Sequence, residues 1–204
     1  LLCLSLSGLL LYRLARRAFG ETVAERSLVL FLLLPLAQLG FLLAVPDAPL
    51  SLAWMLVMTA GYEAAFGAWW QRGMLGAGAA IGLAMLAKYT AVLAGLSLLV
   101  FFLCSPLRRR LFSPAFFGAV LLAALVFAPV AYWNSLHEWS SFRFQLAHGI
   151  AEESAFHWDY LFEFLGGQLL VGGIATALAF FIWRFVMRGS IGRSRGYCIF
   201  GVFP

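Results

Sequence analysis

The residues that could do chemistry in this chain are few and fall in three places. Asp47 stands between two prolines in VPDAPL, and Lys88, in GLAMLAKYTAVL, is the only lysine. A third stretch, WNSLHEWSSFRFQLAHG, gathers Trp133, Asn134, His137, Arg143, Gln145 and His148. A rigidly held carboxylate such as Asp47 can orient a sugar hydroxyl, an amine or a metal ion. An aspartate just ahead of Pro49 can equally satisfy free amides at a helix start, where the helix dipole favours negative charge, and the spacing leaves both readings open. Lys88 also has two readings. Its stem can cross an apolar zone so that the ammonium reaches the headgroups, or the isolated cation can seek a counter-ion, for which a lipid phosphate is the natural candidate.

His137, His148 and His157 invite a metal reading together with Glu138 and Asp159. On one continuous helix, His137 and His148 would share a face but lie roughly 16 Å apart at about 1.5 Å per residue. Zinc ligands sit about 2 Å from the ion, so these two cannot chelate one ion along such a helix. His137 is expected to be an interfacial hydrogen-bonding group, and His157, with Trp158 and Tyr160, part of an aromatic belt. A divalent metal at the acidic residues is left open, and no other cofactor is written in the sequence. GMLGAGAAIGLAML is no phosphate loop, because no strand precedes it and no GKS or GKT follows; its small residues three and four apart predict close helix packing. Neither a nucleophile elbow nor a HExxH run is present.

The elements that must position these groups are set by composition. Of 204 residues, 63% are hydrophobic and only 11% charged, and the mean hydropathy is +0.93. A water-soluble domain carries about 25% charged residues, so the solvent here is lipid. Disorder and a disulfide-stapled scaffold are excluded as well: hydrophobicity is high, and Cys3, Cys104 and Cys198 lie far apart. The net charge of +5 comes as small basic clusters between apolar runs, the pattern of membrane topology, and this excludes a nucleic-acid partner.

Apolar stretches predict seven spans: the run ending at Tyr12, then Leu28–Val45, Ala48–Tyr62, Gly73–Ala87, Tyr89–Leu107, Leu111–Leu136 and Phe164–Trp183. The first reads as the remainder of a longer span, because Arg13, Arg16 and Arg17 follow it where a cleavable signal would carry its basic residues ahead. Part of the active site is therefore expected upstream of residue 1. The stretches on either side of Lys88 read as a hairpin; one helix passing through it would put an ammonium in mid-bilayer and use about 35 residues for one crossing.

Alternating these spans places twelve of the 14 basic residues on one side, with Arg108, Arg109 and Arg110 as a clamp on anionic headgroups of membrane lipids. Lys88 and Arg143 fall on the other side with six of the nine acidic residues and all three histidines. This is a strongly positive-inside pattern, so the outer face is the chemically equipped one. Residues 133–163 form the only long outer segment. In it Leu136, Trp139, Phe142, Leu146 and Ile150 recur every three or four residues, opposite His137, Ser141, Gln145 and His148, and this predicts an interfacial amphipathic helix over a cavity.

VPDAPLSLAWML, GLAMLAKYTAVL with the later RRR loop, and FAPVAYWNSLHEWSSFRFQLAHG together resemble the bacterial membrane glycosyltransferases related to protein O-mannosyltransferases and to the lipid A aminoarabinose transferase (glycosyltransferase family 39-like). The resemblance runs from about Tyr12 to Gln168, and its last stretch is the most specific. It implies an all-α integral membrane bundle of GT-C-like type, comprising residues 1–188 of this chain, with 189–204 an unassigned tail. It further implies transfer of a sugar from a polyprenyl-phosphate donor to a lipid, glycan or protein acceptor on the outer face of the bacterial inner membrane. Asp47 matches the family's later outer aspartate, Lys88 its lysine near the lipid phosphate, and Trp133 to Gly149 its outer helix. Asp47 is then the catalytic candidate present in this chain, and Lys88, Trp133, Asn134, His137, Arg143, Gln145 and His148 are substrate-binding candidates. The family's main catalytic carboxylate lies in a first outer loop that this sequence lacks, so the chain alone is expected to be inactive. A transporter subunit or a non-catalytic membrane scaffold are the rivals. A transporter would need ionisable groups or broken helices at mid-membrane, and only Pro35 with Gln38 and Pro129 interrupt the spans.

Overall fold

A computed structural model describes residues 1–33, 46–149, 159–167 and 177, and among these there is helix and no strand. The chain runs through α1 (Leu2–Phe19), α2 (Glu21–Leu33), α3 (Asp47–Phe66), α4 (Trp70–Ala87), α5 (Val92–Cys104), α6 (Pro114–Leu136) and α7 (Ser140–Gly149). Residues 159–167 are also helical. Short 3-10 turns, Tyr89–Ala91 and Pro106–Phe112, flank α5.

Local sequence explains the ends of these helices. Gly20, at φ 97°, turns α1 into α2 through a left-handed conformation that a side chain would strain. Two Ser-Pro pairs start the next turns: Ser105 Oγ accepts the Leu107 N–H, and Ser113 Oγ accepts the Phe116 N–H, each with proline at the first position, where no donor is missed. At Lys88 the backbone is extended (φ −158°, ψ 129°), which ends α4, and Gly95 returns beside Ile81. The hairpin is therefore present.

The packing is inside out relative to a water-soluble bundle. The buried positions are mostly small, among them Ala53, Ala64, Ala65, Ala77, Ala80, Ala84, Ala94 and Ala119, while Leu93, Leu96, Val100, Leu103, Phe117, Val120, Leu121 and Leu125 point outward. Small residues inside and large apolar ones outside suit a lipid solvent, where close backbone approach holds helices together. The glycine-rich stretch supplies that approach: a Cβ on Gly78 would overlap the backbone of Ala119, and one on Gly82 would lie 2.9 Å from the Ala123 carbonyl oxygen.

Among the described residues, only Pro114–Leu136, 23 residues with mean hydropathy 2.2, is long and apolar enough by itself to cross a membrane. The expected spans at 48–62 and 73–87 are the longer helices α3 and α4, and the one at 89–107 is divided into a 3-10 turn, α5 and a second 3-10 turn. Residues 34–45 of the second span, most of the last span and the tail 189–204 lie outside the described residues.

Polar groups gather at the two ends of the bundle. At one end Arg17 pairs with Glu63 at 3.1 Å, and Tyr12 donates to Glu21. Arg110 departs from the expected headgroup clamp. Its guanidinium turns inward, donates to the carbonyls of Ala64 and Ala65 at the end of α3, and stacks 4.9 Å over Trp70. A cation on the last carbonyls of a helix satisfies orphan acceptors and complements the dipole. Arg108 and Arg109 keep the exposed positions.

Candidate functional site

The opposite end of α3 and α4 carries Asp47 and Lys88. Asp47 is the first residue of α3, with Pro46 at the N-cap position. Its Oδ1 accepts from Lys88 Nζ at 3.1 Å, and both side chains remain about half exposed, 55% and 52%. The counter-ion of the lone lysine is thus a carboxylate of the same chain. The same ends of α3 and α4 hold a small apolar cluster of Ala53, Ala84 and Ala91, with Leu50 and Met85 packed against it. An exposed ion pair of this kind contributes only about 0.2–1 kcal/mol, so stability is a weak reason for its existence.

Beside it lies an aromatic cluster that sequence reasoning did not find. Tyr89, the residue after Lys88, stacks on Phe142 of α7 with ring centroids 5.0 Å apart and planes at 21°. Phe127 of α6 meets both rings edge-on, and Trp139 tilts against Phe142. A KY pair at the end of an apolar helix is the one sequence signal, since tyrosine favours that boundary.

The amphipathic helix expected from Leu136 to Ile150 is not continuous. Leu136 ends α6, Glu138 and Trp139 take positive φ values of 54° and 58°, and α7 begins only at Ser140. The faces differ too: Phe142 is half-buried, Leu146 and Phe144 are exposed, and Ser141, expected on the polar side, is half-buried. Ile150 lies outside the described residues, as do His157 and the side chain of His148.

The remaining candidates divide. Trp133 is exposed, and the His137 ring stacks on it at 4.0 Å, its Nδ1 held 2.7 Å from the Trp133 carbonyl oxygen. Together they form an open aromatic and polar surface. Arg143 and Gln145 are exposed on α7. Asn134 does not suit the expected substrate contact, because it is 0% exposed and bonds inward. Its Nδ2 donates to the Val130 carbonyl at 3.0 Å, and its Oδ1 accepts the Ser141 N–H at 3.2 Å. No three His, Cys, Asp or Glu side chains converge on a metal-sized position among the described residues.

A helical bundle with small residues inside and large apolar residues outside thus carries a carboxylate, an ammonium and an aromatic surface at one end. Residues 1–133 match the family model of dolichyl-phosphate-mannose-protein mannosyltransferase, and the chain belongs to that family. It is a membrane glycosyltransferase by that membership. The match covers Asp47 and Lys88 and ends at Trp133, so the stretch that carries the more specific part of the resemblance lies beyond it. No curated protein and no solved structure matches the chain.

Proposed function

We propose that this chain forms part of a multi-pass glycosyltransferase that takes a sugar from a polyprenyl-phosphate carrier and transfers it to a lipid, glycan or protein acceptor at the outer face of the bacterial inner membrane. The reading includes seven spans, with Asp47, Lys88 and residues 133–163 on the outer side and Arg108 and Arg109 on the cytoplasmic side against anionic headgroups.

The observation that carries it is the Lys88–Asp47 pair, half exposed at the bundle end opposite Arg17, Glu63 and Arg110. In the transfer, an acceptor oxygen or nitrogen forms a bond to the anomeric carbon while the bond from that carbon to the phosphate oxygen breaks. The bonding electrons leave with polyprenyl phosphate, and the acceptor's proton passes to a carboxylate of the complete enzyme. Charge accumulates on the departing phosphate, so a pre-placed ammonium stabilises the transition state more than the ground state. Lys88 takes that role. Asp47 keeps the ammonium in place before the donor arrives and orients a polar group of the sugar. Trp133 and His137 offer a stacking face for a sugar ring, with Arg143, Gln145 and His148 beside them. The isoprenoid tail stays in the bilayer while its phosphate reaches the surface, which is why a membrane-embedded site suits this donor.

The test is donor-dependent transfer by the complete enzyme in lipid vesicles, supplied with a polyprenyl-phosphate sugar. Lys88→Met keeps the apolar stem and removes the charge, and should lower kcat/KM for the donor at least tenfold at unchanged folded yield. Wild-type donor dependence in that variant would return Lys88 to a snorkelling role.

A further inference from the structure

We infer that Asn134 is a positioning residue for Lys88, acting through the elbow between α6 and α7 and the aromatic contact of Phe142. The inference rests on the reading of Lys88 given above for its catalytic consequence, though not for its geometry.

The elbow is built on Asn134 from four directions. Its carbonyl accepts the N–H groups of His137 at 3.1 Å and Trp139 at 2.9 Å, its Nδ2 donates back to Val130, and its Oδ1 receives the first turn of α7 at Ser141. These bonds hold Glu138 and Trp139 in left-handed backbone conformations that neither residue type favours, least of all a tryptophan. A strained turn persists only where its surroundings over-determine it, and the enclosed amide does that here. The direction it imposes sets α7 so that Phe142 lies flat on Tyr89 and edge-on to Phe127. Tyr89 directly follows Lys88, at the point where the backbone is extended and the hairpin turns. A chain of contacts therefore runs from a buried amide in the α6–α7 elbow to the backbone that aims the ammonium at Asp47.

The test uses the complete enzyme in lipid vesicles, carrying Asn134→Ala, Phe142→Ala, or both. Because Lys88 is the only lysine of this chain, acylation by an amine-specific ester, read by peptide mass spectrometry, reports its environment directly. Each single variant should raise the acylation rate at Lys88 by threefold or more. Since one residue acts through the other, the double variant should exceed neither single by more than about 1.5-fold, whereas independent effects would multiply. Asn134→Asp, which keeps the acceptor for Ser141 and loses the donor to Val130, should fall between wild type and alanine; it also carries the test if Asn134→Ala fails to fold. The kcat for transfer should fall severalfold in step with acylation while the donor KM changes less, as the loss of a contact made mainly in the transition state requires. Unchanged acylation at Lys88 in a folded Asn134 variant, or multiplicative effects in the double, would overturn the inference. Faster acylation with unaltered kcat and kcat/KM for the donor would support the positioning and overturn the phosphate role of Lys88.

Discussion

Lys88 Nζ lies 3.1 Å from Asp47 Oδ1, joining residues 41 positions apart across the start of α3 and the end of α4. Each was a separate candidate in the sequence, and the contact makes them one unit. Its partial exposure separates two kinds of importance. A carboxylate and an ammonium in contact with water stabilise the fold only slightly, yet both remain accessible to a phosphate or a hydroxyl arriving from the same side.

That separation gives a charge-exchange prediction. Asp47→Lys combined with Lys88→Asp rebuilds an ion pair with opposite polarity, so a purely structural pair should tolerate it, with stability within about 1 kcal/mol of wild type. A site that requires the cation on the hairpin should lose at least tenfold in transfer despite the restored pair. Asp47→Asn alone should cost less than about 1 kcal/mol in thermal unfolding and several-fold in transfer. Full activity of the exchanged protein, measured with a polyprenyl-phosphate donor, would reduce the pair to scaffolding.

Lipid solvation and the break at Lys88 were legible in the sequence because each follows from one large energy: apolar composition for the first, a charge that mid-bilayer would penalise for the second. Helix packing along Gly78 and Gly82 was legible from spacing. The elbow at 137–139 was not. The three-to-four periodicity of Leu136, Trp139 and Phe142 continues across it, and no glycine or proline marks the left-handed residues, which are Glu138 and Trp139. Asn134 is a substrate-binding candidate in the sequence by resemblance alone. Without the elbow, nothing indicates that its amide must close a turn. The Asp47–Lys88 contact depends on how α3 packs on α4, a tertiary fact with no local signature.

Arg110 should behave unlike its neighbours. Arg110→Ala removes two bonds to the α3 terminus and a stack on Trp70, and should destabilise the bundle by about 1.5–3 kcal/mol, as charged hydrogen bonds do. Arg110→Lys should recover only part, since a point charge cannot reproduce the planar fork on two carbonyls and the aromatic ring. Arg108→Ala and Arg109→Ala should stay within about 0.5 kcal/mol, the usual range for exposed positions. Unfolding in detergent measures all four, and equal effects across the three arginines would contradict the inward role.

The glycines of α4 allow a matched comparison. At Gly78 an added Cβ meets the Ala119 backbone, which cannot rotate away, whereas at Gly76 it meets only the Ala60 Cβ at 3.5 Å. Gly78→Ala should therefore separate α4 from α6 and destabilise by about 1–3 kcal/mol, the cost of overpacking. Gly76→Ala should be neutral or gain up to about 1 kcal/mol from helix propensity. Thermal unfolding of the two variants, side by side, checks the close approach; equal midpoints would mean that α4 and α6 lie further apart.

The last prediction concerns sidedness. Gln145 is exposed on α7 and Arg109 is exposed in the 3-10 turn before α6, and α6, at 23 residues, is long enough to hold them on opposite sides of a bilayer. On the orientation proposed above, the Arg109 side is cytoplasmic. In a background with native cysteines replaced by serine, Gln145→Cys should react with a membrane-impermeant maleimide in intact cells. Arg109→Cys should react only after permeabilisation. On the same proposed orientation, which counts residues 133–163 as outer, a cysteine at Ser154 should follow Gln145→Cys. If Arg109→Cys reacts in intact cells while Gln145→Cys is protected, the orientation is reversed, and Asp47 and Lys88 then face the cytoplasm.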